Sequence, residues 1–341
     1  MTNRSTPFTR RAFLRAVGGA CAISTVRPVL AQSSSTDKPK LPPFRLGVVV
    51  WIAQGESIET AVEGVRALGL QTCQIGFEHL TPAVSKPLKN ALRKHGVEAT
   101  AFSEHGPGER IFDFYSGPKT IGIVPRANRE ARIRNLQLAA DIAAECSIPS
   151  IHTHCGFISE DPNDPLYGET VAAMKRIAKH CKERSCSFLC ETGQETPVAM
   201  LRMIEDVGLD NVFVNLDGAN LIMCGKGNPV DAMDVFGHLV RGIHAKDGLF
   251  PTGTKEFGKE VAFGEGKVNF PALFQRLKQV NYQGPVHIER EIEGPEQRKE
   301  ILRSKAFLET LMGKESDPLG RNEKHESQAL ASRAFTQSIV E

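Results

Sequence analysis

Several familiar signals are missing from this 341-residue chain. No apolar run approaches the roughly 18 residues that a membrane-spanning helix requires. The net charge is only +2, so nothing suggests the strongly basic face that nucleic-acid binding calls for. No GxGxxG follows the first apolar segment, which removes support for the dinucleotide-binding version of an open α/β sheet. No CxxC spacing occurs either. Past the N-terminal segment the cysteines are Cys73, Cys146, Cys155, Cys181, Cys186, Cys190 and Cys224. An odd, scattered set of this kind is neither a disulfide framework nor a zinc ribbon. They are expected to be buried small hydrophobes.

What is present begins with a distinct N-terminus. Thr9-Arg10-Arg11-Ala12-Phe13-Leu14-Arg15 precedes a weakly apolar stretch from Ala16 to Thr25, and Val29-Leu30-Ala31 offers a cleavage point before Gln32. A basic region, a short apolar region and a small-residue site make a secretory signal. The paired arginines followed by Phe-Leu resemble a twin-arginine export signal. The bland alternative is a basic disordered tail. Cys21 as a lipoprotein anchor is discounted, because Gly18 stands where such motifs want Leu. The expected organisation is a signal over 1–31, a linker over 32–43, a folded domain over 44–313 and a polar tail over 314–341. Such a protein would be periplasmic or secreted, would meet the twin-arginine translocation machinery, and would not stay inserted in a membrane after cleavage.

From about Phe44 short apolar runs alternate with amphipathic stretches. The runs are Leu46–Ile52, Thr72–Phe77, Glu98–Ser103, Ser150–His154, Ser187–Glu191, Val212–Asp217, Gly242–Ala245 and Pro285–Glu289. After Ser57, apolar residues recur at Ile58, Ala61, Val62, Val65 and Leu68; after Asn269, at Phe270, Leu273, Phe274, Leu277 and Val280. Both series follow the spacing of one helical face. The unbroken Leu46-Gly47-Val48-Val49-Val50 suits a parallel strand covered on both sides. Eight strand-helix units predict an α/β chain forming a single-domain (β/α)8 TIM barrel, ahead of an open flavodoxin-like or Rossmann sheet. Gly106–Arg134 is too long for an ordinary loop and is expected to carry a short helix and cover the barrel mouth.

In such a barrel, reactive groups gather where strands end at the C-terminal face. The last four runs end in Cys190-Glu191-Thr192, Leu216-Asp217-Gly218, Ile243-His244-Ala245 and His287-Ile288-Glu289. Alone, an acidic residue after a strand is more often a helix cap, and a strand histidine more often hydrogen-bonded structure. Together they differ, because carboxylates aimed into one space repel each other unless a cation lies among them. Carboxylates with one imidazole suit Mn²⁺ first, with Mg²⁺, Co²⁺, Zn²⁺ or Fe²⁺ as alternatives. One divalent ion held by Glu191, Asp217, His244 and Glu289 is therefore expected. Glu291 rivals Glu289, but the Gly284-Pro285 register favours Glu289.

These segments resemble the xylose-isomerase-like TIM barrel superfamily, which includes ketose 3-epimerases, hydroxypyruvate isomerase, inosose dehydratase and endonuclease IV. The likeness runs from about Phe44 to Leu311. Its most specific parts are His244-Ala245-Lys246-Asp247-Gly248, Gly264-Glu265-Gly266-Lys267-Val268-Asn269 and Gly284-Pro285-Val286-His287-Ile288-Glu289. The resemblance implies that Glu191 and Glu289 bind the metal and also move the substrate proton. It departs from the epimerases at Asn220, where they commonly carry a substrate-contacting histidine three residues after the strand-six aspartate. The extra histidines of a trinuclear nuclease site are not evident.

The expected chemistry is proton transfer beside a carbonyl. A divalent ion gripping adjacent oxygens of a sugar acidifies the neighbouring C–H. The enediolate that forms is stabilised by the cation, while one carboxylate takes the proton and another returns it. A sugar isomerase or epimerase is the first reading. A lyase expelling the aglycone of a 3-keto-glycoside is the second, and a non-catalytic periplasmic sugar-binding barrel the third. Candidate substrate contacts are His154, Lys246, Asn220, Glu265, Trp51 and His105. His154 lies nearer the mouth than His152. Lys246 has an alternative role in a salt bridge to Asp217, Glu265 or Glu289, and Trp51 one in the core. His287 is expected to pack inside the barrel. Assembly into a homo-oligomer stays open.

Overall fold

The computed structural model describes residues 44–313. Eight parallel strands close into a ring: β1 (Arg45–Ile52), β2 (Thr72–Phe77), β3 (Glu98–Ser103), β4 (Ser150–His154), β5 (Ser187–Glu191), β6 (Val212–Asp217), β7 (Val240–Ala245) and β8 (Pro285–Ile288). Each pairs with its successor, and β8 returns to β1 in the register Arg45↔Pro285 to Val48↔Ile288. The closed ring decides against an open sheet. Strand seven starts earlier than expected, at Val240, and strand eight stops at Ile288, just before Glu289. The signal, linker and tail expected over 1–31, 32–43 and 314–341 lie outside the described residues.

Helices α1 (Ile58–Ala67), α2 (Ser85–His95), α3 (Gly117–Thr120), α4 (Arg126–Cys146), α5 (Pro165–Glu183), α6 (Pro197–Val207), α7 (Gly218–Met223), α8 (Pro229–Phe236), α9 (Phe270–Gln279) and α10 (Pro295–Leu311) lie between and after the strands. Their starts follow from capping: Ser57 Oγ accepts the Thr60 N–H at α1, and Asn269 Oδ1 the Ala272 N–H at α9. Helix α1 buries Val62 and Val65, and α9 buries Phe270, Leu273, Phe274 and Leu277. Val280 falls past the end of α9 and is exposed, so the expected apolar face stops one member short.

The apolar core is the layer between strands and helices. Outward residues such as Ile75, Phe102, Ile151, Phe188, Val214, Ile243 and Val286 pack there with Leu88, Ile133, Leu136, Met174, Met203, Phe236 and Leu273 from the helices. The seven cysteines are buried and unpaired, as expected.

Inside the ring the chemistry changes. Strand residues alternate sides, and the registers Gly47↔His287↔His244↔Asp217 and His154↔Glu191↔Asn215 turn polar side chains inward together. Gln74 Nε2 donates to Asn215 Oδ1 at 2.9 Å, and His287 Nε2 lies 3.1 Å from Thr100 Oγ1. Gly242 makes this possible, since a Cβ there would collide with the Asn215 side chain.

The long connection from β3 to α4 crosses the barrel mouth. Phe114 N–H donates to Lys255 C=O at 2.8 Å, and the Phe114 and Phe257 rings meet edge-on at 4.8 Å. Two buried arginines of α4 hold it from behind. Arg132 donates to the carbonyls of Pro107 (3.1 Å), Gly122 (2.6 Å) and Glu109 (3.1 Å), and Arg129 to those of Ile123 (2.8 Å) and Val124. The short helix expected here is α3, but the long helix already begins at Arg126.

Candidate metal centre

Strands β5 to β8 bring Glu191, Asp217, His244 and Glu289 to one point, with one ligating atom of each within 4.8 Å of the others. His244 Nδ1 lies 3.0 Å from Glu191 Oε1, 3.1 Å from Glu289 Oε2 and 3.5 Å from Asp217 Oδ2. Each is positioned from behind. Asp217 Oδ1 caps α7 by accepting the Asn220 N–H at 2.8 Å, and the Asp217 backbone exchanges two hydrogen bonds with Thr192 Oγ1. His244 Nε2 sits 2.6 Å from Gln74 Oε1. Donation there keeps the free ring nitrogen, Nδ1, aimed at the carboxylates. The Glu289 N–H donates to Ala245 C=O at 3.2 Å.

Charge is the test of fit. Lys246 Nζ lies 3.1 Å from Asp217 Oδ2 and 2.8 Å from Glu289 Oε2, and reaches the exposed Glu291 at 2.7 Å. With His244 neutral, as a ligand must be, the carboxylates of Glu191, Asp217 and the partly buried Glu289 against the one Lys246 ammonium leave an excess of two negative charges, which a divalent ion would neutralise. Asp217 Oδ2, His244 Nδ1 and Glu289 Oε2 are buried and meet no aligned hydrogen bond, their close neighbours being Lys246 and one another. Ligand atoms crowded around one point in this way are what an ion site requires. The residues fit a hard divalent cation.

The local fields agree. Burial pushes the Asp217 carboxyl up, although Lys246 opposes it. Burial opposes charge on Glu289 and Lys246 too, but their attraction prevails, holding Glu289 below the carboxylate range and Lys246 well above the usual lysine value. His244 would be lowered by burial alone, yet Glu289 and Glu191 hold it well above an ordinary imidazole. Glu191 stays well below the usual range because His154 and His244 outweigh its burial.

A cavity of about 680 Å³ opens between this cluster and the ends of β1 and β3. His154 Nε2 is 3.8 Å from Glu191 Oε2. The His105 ring stacks on His154 at 5.2 Å, and Trp51 stacks on His105 at 4.9 Å. Trp51 is 39% exposed, so it is cavity wall and not core. Asn220 Nδ2 lies 3.5 Å from Glu191 Oε1. Lys246 takes the salt-bridge alternative, with Asp217 and Glu289 and not with Glu265.

Glu265 is not brought to the site. Its side chain is exposed, 3.6 Å from Arg303. The loop is tied to the barrel through its backbone instead, because Asp247 Oδ2 accepts the N–H groups of Gly264 and Gly266 at 3.0 Å. Glu291 also stays outside the four-residue cluster.

Sequence reasoning missed Gln74 and Asn215 and passed over His152, whose buried Nδ1 lies 3.2 Å from Glu191 Oε2. The signal was available. A polar residue inside an otherwise apolar strand, as in Thr72–Phe77 and Val212–Asp217, must find a partner within the barrel. Glu195 was missed as well. It accepts the Gly193 N–H at 3.1 Å, and burial pushes its carboxyl up to about 8.

Residues 62–311 match the family model of xylose isomerase-like TIM barrels. Among solved structures, a xylose isomerase domain protein from Planctomyces limnophilus is 29% identical at a TM-score of 0.73, over 79% of this chain and 98% of that one. A 3-keto-D-glucoside 4-epimerase from E. coli is 17% identical at 0.57, over 78% of this chain and 99% of that one. A xylose isomerase-like TIM barrel protein from Mycobacterium smegmatis in complex with magnesium is 16% identical at 0.57, over 74% and 87%. The comparison with curated proteins returned no match.

Proposed function

This chain belongs to the xylose isomerase-like TIM barrel family, and from that premise we propose that it is a divalent-metal-dependent sugar isomerase or epimerase. One observation carries the reading: ligand atoms of Glu191, Asp217, His244 and Glu289 converge within 4.8 Å of one another at the C-terminal end of the barrel, with Lys246 the one ammonium among them. Glu191, Asp217, His244 and Glu289 would hold the ion, Mn²⁺ being the first expectation. When bound, it would act as a Lewis acid that makes the C–H beside a sugar carbonyl more acidic.

Glu191 and Glu289 come from the first and last of the four strands and so flank the cluster. Both are held ionised by neighbouring positive or imidazole groups, as a base must be. One, ionised, takes the proton from carbon; its partner, having first gained a proton from solvent, delivers that one to the opposite face. Return to the same carbon epimerises; return to the adjacent carbon isomerises. Lys246 holds Asp217 and Glu289 in place. His154, whose Nδ1 is buried and unpartnered, is positioned for a substrate hydroxyl. Residues 1–31 would direct export to the periplasm or beyond, so Arg10→Lys with Arg11→Lys should leave the protein in the cytoplasmic fraction.

The test is turnover of free ketoses in D2O with Mn²⁺. Deuterium uptake beside the carbonyl without loss of a group is expected. Aglycone release from a 3-keto-glucoside, with free ketoses inert, would replace this reading with the lyase. If Mn²⁺, Mg²⁺, Co²⁺ and Zn²⁺ all leave the melting temperature unchanged, the metal centre itself is refuted.

A further inference from the structure

We propose that the substrate carries a second ring, seated against Trp51 and Phe112 at the outer end of the cavity, and bears no negative charge. This rests on the carbohydrate reading above and narrows its substrate class.

The cavity has two unlike ends. At about 680 Å³ it falls in the range of roughly 300–1,000 Å³ typical of pockets for drug-sized ligands, which is ample for two linked rings. Its inner end holds Glu191 and Glu289. Its outer end presents two large rings to water, Trp51 at 39% and Phe112 at 49% exposure. Exposed aromatics lining a concave site mark a recognition surface.

These rings are fixed before any ligand arrives. Trp51 stacks on His105 with 26° between the planes and packs over Gly76, where a Cβ would come within 2.8 Å of the indole. His105 stacks in turn on His154, and Phe112 meets His154 edge-on at 6.1 Å. His154 is thus shared, touching Glu191 at one end and the ring wall at the other. A preordered wall loses little entropy when it binds. The flat, C–H-rich face of a pyranose or an aromatic aglycone supplies the same apolar ring surface.

Charge narrows the occupant. Exposed carboxylates of Glu56, Glu78 and Glu293 line the cavity, with Glu291 paired to Lys246, and Arg110 is the one lysine or arginine among its described lining residues. Glu56 and Glu78 are locked there, accepting the N–H groups of Ala53 and Gln54 at 3.0 Å. Such a rim repels phosphates and uronates.

The chain has one tryptophan, so Trp51 emission reports on this subsite directly. Mn²⁺-supplemented protein is titrated with D-glucose, phenyl β-D-glucoside, cellobiose and D-glucose 6-phosphate. The two-ring probes should change the emission and bind about tenfold tighter than glucose, equivalent to about 1.4 kcal/mol, and the phosphate no tighter than glucose. The tighter of the two-ring probes tells an aromatic ring from a sugar ring. By calorimetry, Trp51→Ala or Phe112→Ala should erase the gain, and Trp51→Phe should restore most of it. Equal binding of one- and two-ring probes, no binding of the latter, a gain that survives both alanine variants, or tighter binding of the phosphate overturns the proposal. The Mn²⁺-induced melting shift, recorded on the same samples, reports separately on the metal centre.

Discussion

The two halves of the barrel mouth are built from different material. Strands β5 to β8 end in ionisable groups: Glu191, Asp217, His244 and Lys246, all buried, and the partly buried Glu289, with Lys246 paired to Asp217 and Glu289. Strands β1 and β3 lead to uncharged rings, Trp51 and His105, with Phe112 beyond. The β4 residue His154 joins them. On the proposed reading one half moves protons and the other grips a surface, and both open onto a single cavity. Reaction and recognition can therefore be altered one at a time.

The strongest way to break this division is Glu289→Gln. Turnover should fall by about 10²–10⁴, the usual contribution of a positioned acid-base group, while the preference for two-ring probes survives. Loss of that preference in the same variant would show that the halves are not separable. A smaller effect is expected from Gln74→Leu, which leaves His244 Nε2 without its 2.6 Å partner. Mn²⁺ affinity by calorimetry should drop roughly 10- to 100-fold, as for other outer supports of a metal-binding histidine, again without touching the ring wall. An unchanged affinity would mean that His244 is oriented by something other than Gln74.

Glu195→Gln should matter least for turnover and show instead in stability. The Glu195 carboxyl is raised from 4.5 to about 8 by burial, so folding prefers its protonated form. That preference contributes fully below about pH 4.5 and is lost as pH rises toward 8. The wild type should therefore lose stability relative to the amide variant by roughly 1 kcal/mol per pH unit across that window. Melting curves at pH 5 and pH 8 compare the two; a gap that does not widen with pH would mean that Glu195 is ionised in the fold.

The barrel was legible because eight short runs alternate with helix-like stretches, and some of them, covered on both faces, are apolar without a break. Leu46–Val50 and Phe188–Cys190 are examples. The four converging residues were legible because each sits at, or one residue from, the end of its strand. The supporting residues were harder to see. Gln74 acts on His244 across 170 positions of chain, and only barrel closure makes them neighbours. Glu265 misled because the shape of its family-like loop comes from glycine N–H groups on Asp247, which leave the glutamate side chain free to point at solvent. Strand ends report position in a ring, whereas loop side chains do not.

The connection held by Arg129 and Arg132 carries one more consequence. Both arginines donate to main-chain carbonyls of that connection, at Pro107, Glu109, Gly122, Ile123 and Val124. Every amino acid offers the same carbonyl, so this part of the anchoring places almost no demand on the side chains at those five positions. Asp113 and Thr120 still hold the turns on either side by accepting N–H groups of Tyr115, Ser116 and Ile111, so it is Phe112, which takes no part in that holding, that is the natural place to retune substrate choice without disturbing the scaffold.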